Sequence, residues 1–131
     1  MVVLDTTFII HFLKNKQATI EKMRDFSSPL YTTRLNVFEV LVGIHRKGQD
    51  QVETALSAFN MFLEGISILE LDQKSTEIGA RIYAELDKNG ETVQHKDVLI
   101  AAIALANGET SIITQNVKDF AKIPGIKVEG Y

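Results

Sequence analysis

Short apolar runs alternate with longer stretches of helical period along this chain. Met1-Val2-Val3-Leu4 is continuously apolar, as in a strand buried on both faces at the middle of a parallel sheet. Thr6 and Thr7 follow, able to cap a helix whose first turns are Phe8-Ile9-Ile10-His11-Phe12-Leu13. A second helix is expected from Ala18 to Phe26, closed by Ser27-Ser28-Pro29, and then a strand, Leu30-Tyr31-Thr32. Thr33 opens a helix through about Arg46, and Lys47-Gly48 ends it with a glycine in the terminal place. Val52, Ala55, Leu56, Phe59, Phe62 and Leu63 draw a helical stripe that stops at Gly65. Ile66 to Leu71 reads as a partly alternating strand. Asp72 or Ser75 can cap the next helix, with Ile78, Ile82, Tyr83 and Leu86 facing inward and Asn89-Gly90 at its end. His95 to Ala106, apolar nearly all round after Asp97, is a buried helix closed by Asn107-Gly108. Ser111 to Thr114 and Ile126 to Val128 are the last strands, with Gln115 to Phe120 leading into a turn between them. Strands separated by helices or helix pairs predict an α/β sandwich around a mostly parallel sheet.

Composition narrows the classes. The 131 residues are most simply one domain, residues 1–131, able to bury a core without covalent help. There is no cysteine, which excludes disulfides and thiolate metal sites. No signal-peptide pattern and no apolar run of bilayer length are present, so the expectation is a cytoplasmic protein with no membrane role. A net charge of −3 argues against sequence-blind coating of nucleic acid, which needs a strongly basic surface. It leaves a nuclease open, because an acidic pocket is what a cation site needs and a bound cation reverses the local sign.

Four places in the chain carry candidate chemistry. Asp5 ends a central strand, where open α/β sheets build their active sites, although a strand-terminal Asp also serves as a plain turn residue. Glu39 lies at the edge of an apolar helix face, with Gly43 beside it giving room; its alternative is a structural pair with Arg46 or Arg34. Asp97 opens a helix too apolar to be anything but buried, and the small Ala101 and Ala102 imply close packing that turns the helix start towards a cleft. Its alternative is a first-turn Asp that merely favours the helix dipole. Thr114, Asn116 and Asp119 follow the strand Ser111 to Ile113 and flank the same crevice if that strand lies beside the first. Like charges gathered at one rim repel, and such arrays usually mean a divalent cation with oxygen ligands.

The order Leu4-Asp5-Thr6, Thr33 with Glu39 six residues on, Asp97-Val98-Leu99-Ile100-Ala101-Ala102 and Ile113-Thr114-Gln115-Asn116-Val117-Lys118-Asp119-Phe120 resembles a PIN domain. More narrowly it resembles the VapC-type toxins of toxin–antitoxin pairs, from Asp5 to the Pro124-Gly125-Ile126-Lys127-Val128 ending. The resemblance implies a three-layer α/β/α fold, a parallel sheet of strand order 3-2-1-4-5, and a Mg²⁺- or Mn²⁺-dependent endoribonuclease. In-line attack on phosphorus would leave a 5′-phosphate and a 3′-hydroxyl. Asp5, Glu39 and Asp97 match the three recurrent acids, as catalytic residues and metal ligands. The fourth acidic position falls on Asn116, with Asp119 three residues on as the other candidate, so one or two metal ions are both open. Thr6, Thr114 and Asn116, with Arg34 and Lys96, are the candidate contacts to RNA. The implied partners are a VapB-like antitoxin laid over the acidic cleft and a second copy in a homodimer.

Two other functions compete. An aspartate-nucleophile phosphatase would use Asp5, but such sites want a second Asp two residues on, where this chain has Thr7. A non-cleaving RNA-binding scaffold is the second, disfavoured by the presence of all three acids. His11, His45 and His95 are scattered without ligand spacing, which argues against zinc, and His95 could touch RNA. The Val52 to Leu63 stripe and Phe8-Phe12 are read mainly as core, with an interface role in reserve.

Overall fold

The computed structural model describes residues 2–27 and 29–131. Met1 and Ser28, assigned above to the first strand and to the segment before Pro29, lie outside the described residues. The chain runs β1 (Val2–Leu4), α1 (Thr6–Leu13), α2 (Gln17–Asp25), β2 (Leu30–Thr33), α3 (Arg34–His45) and α4 (Gln49–Leu63). It continues as β3 (Ser67–Leu69), α5 (Gln73–Lys88), α6 (His95–Ala106), β4 (Ser111–Ile113), α7 (Val117–Phe120) and β5 (Lys127–Glu129). The five strands form one sheet of order β3-β2-β1-β4-β5, every pair parallel, as expected for the three-layer fold.

Alternation along the strands divides the core into two layers. Val3 and Ile112 point to the side covered by α5, α6 and α7, where they meet Ile82, Leu86, Val98, Ile100 and Phe120. Val2, Leu4 and Ile113 point to the other side and meet Phe8, Ile9, Val37, Val40, Ile44 and Phe59 from α1, α3 and α4. The α4 stripe packs on this second cluster, and Phe12 reaches it through Phe62, the two ring centroids 5.5 Å apart. Among the described residues, Phe38 and Met61, 63% and 69% exposed, are the most exposed of the large apolar side chains, ahead of Leu71, Val117 and Tyr83.

Several boundaries differ from the sequence reading, each for a local reason. β3 stops at Leu69 because its partner β2 stops at Thr33, which leaves Glu70 and Leu71 without a ladder. Tyr83 is exposed, since it stands one residue off the Gly79, Ile82, Leu86 line that faces α6; its ring meets His95 edge-on at 4.3 Å. Val117–Phe120 forms a short helix where a turn was expected, and it buries Phe120. The cap position of α1 is Asp5, which releases Thr6 and Thr7 into the helix. No helix among the described residues is long and apolar enough to cross a membrane.

Tight packing of α5 on α6 sets the position of Asp97. A Cβ on Gly79 would stand 3.2 Å from Leu99 Cδ2 and 3.3 Å from Ala102 Cβ, so small residues on both helices let them approach. Gly79→Val should therefore destabilise the fold by about 1–3 kcal/mol through overpacking. Urea unfolding of the two proteins measures this, and equal midpoints would contradict it.

Candidate active site

The β3-β2-β1-β4-β5 order reverses chain direction across the sheet between β1 and β4, and both strands end at that crevice. Asp5 follows β1 and extends its ladder by donating its amide to the Ile113 carbonyl at 3.1 Å. Its side chain makes no cap bond to α1, although it occupies the cap position. The carboxylate turns instead into the crevice, 6% exposed, and accepts from Asn36 Nδ2 at 2.9 Å on Oδ1 and from Thr114 Oγ1 at 2.5 Å on Oδ2.

Asn36 was not among the residues singled out above. It belongs to the start of α3, where Thr33 and Asn36 form a reciprocal capping box. Thr33 donates through both its amide and its hydroxyl to Asn36 Oδ1, which fixes the amide group and points Nδ2 at the acids. That nitrogen serves Asp5 and also Thr6 Oγ1, at 3.0 Å. The sequence signal was available: a T-x-x-N pattern at a helix start marks a box, and here the Asn is fully buried.

From Asn36 and Thr114 the hydrogen bonds run on to the other two acids. Thr6 donates to Glu39 Oε1 at 2.7 Å, and Lys96 Nζ donates to Glu39 Oε2 at 2.6 Å. On the other side, Thr114 Oγ1 accepts from the Asn116 amide at 2.9 Å. Asn116 Nδ2 in turn donates to Asp97 Oδ2 at 2.9 Å. One continuous string thus joins Glu39, Asp5 and Asp97 through Thr6, Asn36, Thr114 and Asn116. Of the two fourth-position candidates, Asn116 stands in this string, whereas Asp119 faces Lys122 at 3.9 Å and reaches Asp97 only through its field. Arg34 is held away from the acids by a two-pronged bond to Glu70, at 3.0 and 2.6 Å. His95 lies against Tyr83, and His11 bonds the Tyr131 hydroxyl at 2.7 Å.

Electrostatics at this rim are unfavourable by design of the donors. Burial pushes the Asp5 carboxyl above its ordinary range; the bonds from Thr114, the Thr6 amide and Asn36 pull it back, and the nearby Glu39 charge pushes it up again. Asp97 is raised to about 6 by burial and then by the charge of Asp5, against the pull of Lys96. Among the described residues, no three acidic or histidine side chains are closed into a ready ligand set. Their oxygens are spread among hydroxyl, amide and ammonium donors. The donor set nonetheless suits a hard divalent cation: the converging groups are carboxylate, amide and hydroxyl oxygens, with excess negative charge that burial leaves poorly compensated.

Acids joined over the switch point of a 3-2-1-4-5 sheet define a doubly wound α/β protein with an acidic cleft. The chain belongs to the PIN-domain family, whose model matches residues 2–126, in its VapC branch. It is 31% identical over 127 residues to ribonuclease VapC1 of Rickettsia felis, covering 96% of this chain and 92% of that one. It is 28% identical to the tRNA(fMet)-specific endonuclease VapC of Salmonella typhimurium, with 98% and 96% covered. The DNA-bound VapBC structure from Salmonella typhimurium superposes with a TM-score of 0.87 at 26% identity, over 98% of this chain and 96% of that chain.

A pH dependence of stability follows from the two raised carboxyls. The folded state holds their protons more tightly than the unfolded chain does, so it binds more protons between about pH 4 and 6. Their favourable contribution is complete below the unfolded value of 3.8 and is lost as pH rises through about 6. Unfolding in EDTA should therefore become easier across that window, by on the order of 1–2 kcal/mol. Asp97→Asn should flatten the profile and raise stability at pH 7. A wild-type profile that climbs from pH 4 to 7 would contradict the assignment.

Proposed function

We propose that this protein is a Mg²⁺- or Mn²⁺-dependent endoribonuclease and the toxin of a toxin–antitoxin pair. The observation that carries this reading is the hydrogen-bonded string that brings Asp5, Glu39 and Asp97 to one rim. The similarity to VapC ribonucleases supports RNA as the substrate, and an RNA substrate supports a cytoplasmic site of action. A divalent cation held by these acids would supply Lewis-acid chemistry, making a water more acidic and offsetting the charge that gathers on the phosphate. Asp5 and Asp97 are the residues to hold it, with Glu39 as a further ligand or as the group that orients the attacking water. Thr6 and Thr114 hold the carboxylates in place, and Asn116 contributes a neutral oxygen where many relatives of the fold carry an acid. The aspartate-nucleophile alternative is weakened because both Asp5 oxygens are occupied by hydrogen bonds from Asn36 and Thr114.

A VapB-like antitoxin fits the same face. A mainly apolar groove of about 530 Å³ lies between α1, α3 and α4, lined by Ile10, Leu13, Val40, Gly43, Ile44, Ala55 and Ala58 together with Lys14, Lys47, Asp50, Gln51 and Thr54. A Cβ at Gly43 would meet nothing within 4 Å, so the groove is open beside Glu39's helix. The apolar stripe of a partner helix suits such a groove, and a basic side chain carried over the rim would compete with the cation for the acids. A homodimer belongs to the same reading, and Phe38 and Met61, the most exposed large apolar side chains among the described residues, are candidates to serve it.

Asp5→Asn should lower RNA cleavage by at least about a hundredfold while leaving the fold intact, and EDTA should abolish wild-type cleavage. Cleavage of a labelled RNA with Mn²⁺, Mg²⁺ or EDTA measures both. Activity that survives the substitution and the chelator would refute the proposal, and RNA binding without any cleavage would favour the scaffold reading.

A further inference from the structure

Both oxygens of Glu39 are engaged, Oε1 by Thr6 and Oε2 by the ammonium of Lys96. Lys96 occupies the first turn of α6, where the helix dipole and the free N–H groups disfavour a cation. The acids hold it there: Glu39 bonds it directly, and the charges of Asp97 and Asp5 add to the attraction. It approaches from solvent, its side chain 52% exposed against 21% for Glu39. The basic side chains of the other ion pairs face elsewhere, Arg34 to Glu70, Lys22 to Glu129, and Lys122 to Glu91 and Asp119. Among the described residues, Lys96 is therefore the cation that the acid group holds for itself.

We propose that Lys96 is an exchangeable counter-ion of the acid cleft, resting on Glu39 in the metal-free protein and moving to the RNA backbone when a divalent cation takes Glu39. The inference rests on the metal-dependent ribonuclease reading and names a residue role within it. Glu39 cannot present Oε2 to a divalent cation while an ammonium sits 2.6 Å from it, because the two cations would repel at close range. An exposed ion pair is weak, and the lysine stem is flexible, so the exchange needs only a rotamer change. Once released, the ammonium stands at the mouth of the cleft, where an incoming phosphate finds a point charge that Glu39 no longer neutralises. Cation and RNA then favour the same position of Lys96, so each helps the other to bind.

The test uses the full chain as wild type, Lys96→Met and Lys96→Arg, with Mn²⁺ binding measured by titration calorimetry in the absence of RNA. Lys96→Met should bind Mn²⁺ on the order of fivefold more tightly, since no ammonium has to leave. Its KM for RNA at saturating Mn²⁺ should rise by a similar factor. Lys96→Arg, which keeps the charge, should stay near wild type in Mn²⁺ affinity. A lysine that merely staples α3 to α6 would loosen the acids on removal, and Mn²⁺ binding by Lys96→Met would weaken. Unchanged or weaker Mn²⁺ binding overturns the counter-ion role, and an unchanged KM overturns the move to RNA. Wild-type protein that binds Mn²⁺ but cuts no RNA would defeat the ribonuclease reading, while the Mn²⁺ comparison would still decide the counter-ion role.

Discussion

The interaction on which the site depends is the burial of the Asp5 carboxylate at the end of the central strand. A carboxylate sheltered from water needs compensation, and this chain supplies it with neutral donors. Asn36 comes from α3 and Thr114 from the end of β4, so the two bonds to Asp5 also tie together the elements on either side of β1. Because each donor is itself held, Asn36 by Thr33 and Thr114 by the Asn116 amide, the group is oriented before any ligand arrives.

Topology explains why these donors are within reach. β1 lies between β2 and β4, and the register sets Val3 beside Tyr31 on one side and Ile112 on the other. Two residues further on along each strand, the chain delivers Asp5, Thr33 and Thr114 to the same edge of the sheet. Thr32 secures that edge by donating its hydroxyl to the Leu4 carbonyl at 2.8 Å. Asp97 arrives from the other layer, carried by a helix whose alanines and the facing Gly79 allow close packing. The two apolar layers are thus the means by which acids distant in the chain become neighbours.

Most of this architecture was legible in the sequence, because short apolar runs and glycine-ended helical stripes carry strong local signals. Strand order was legible only through the resemblance, since the residues by themselves left open whether the Ser111 strand lies beside the first. What escaped were features fixed by partners distant in sequence. The end of β3 depends on where β2 stops, and the outward turn of Tyr83 depends on which line of α5 faces α6. Asn36 escaped for a different reason: it reads as an ordinary cap residue, and only the fold shows that its second nitrogen bond goes to Asp5. Arg34 was read as near the acids because it is near Glu39 in sequence, yet on α3 it leaves from another face and meets Glu70.

Neutral donors and charged donors would solve the burial problem in different ways. An arginine or lysine placed inside the cleft would neutralise the acids, and in doing so would fill the place that a catalytic cation needs. Asn36, Thr6, Thr114 and Asn116 position the carboxylates while leaving their negative charge in place. The carboxyl of Asp97, raised first by burial and then by the charge of Asp5, carries part of that uncancelled charge. Such strain opposes folding locally and is tolerated because two apolar layers and a five-stranded sheet hold the elements together. Among the described residues, the ammonium bonded to these acids, that of Lys96, sits at the exposed mouth, its side chain 52% exposed. A cleft arranged in this way keeps the negative charge that the proposed divalent cation would use.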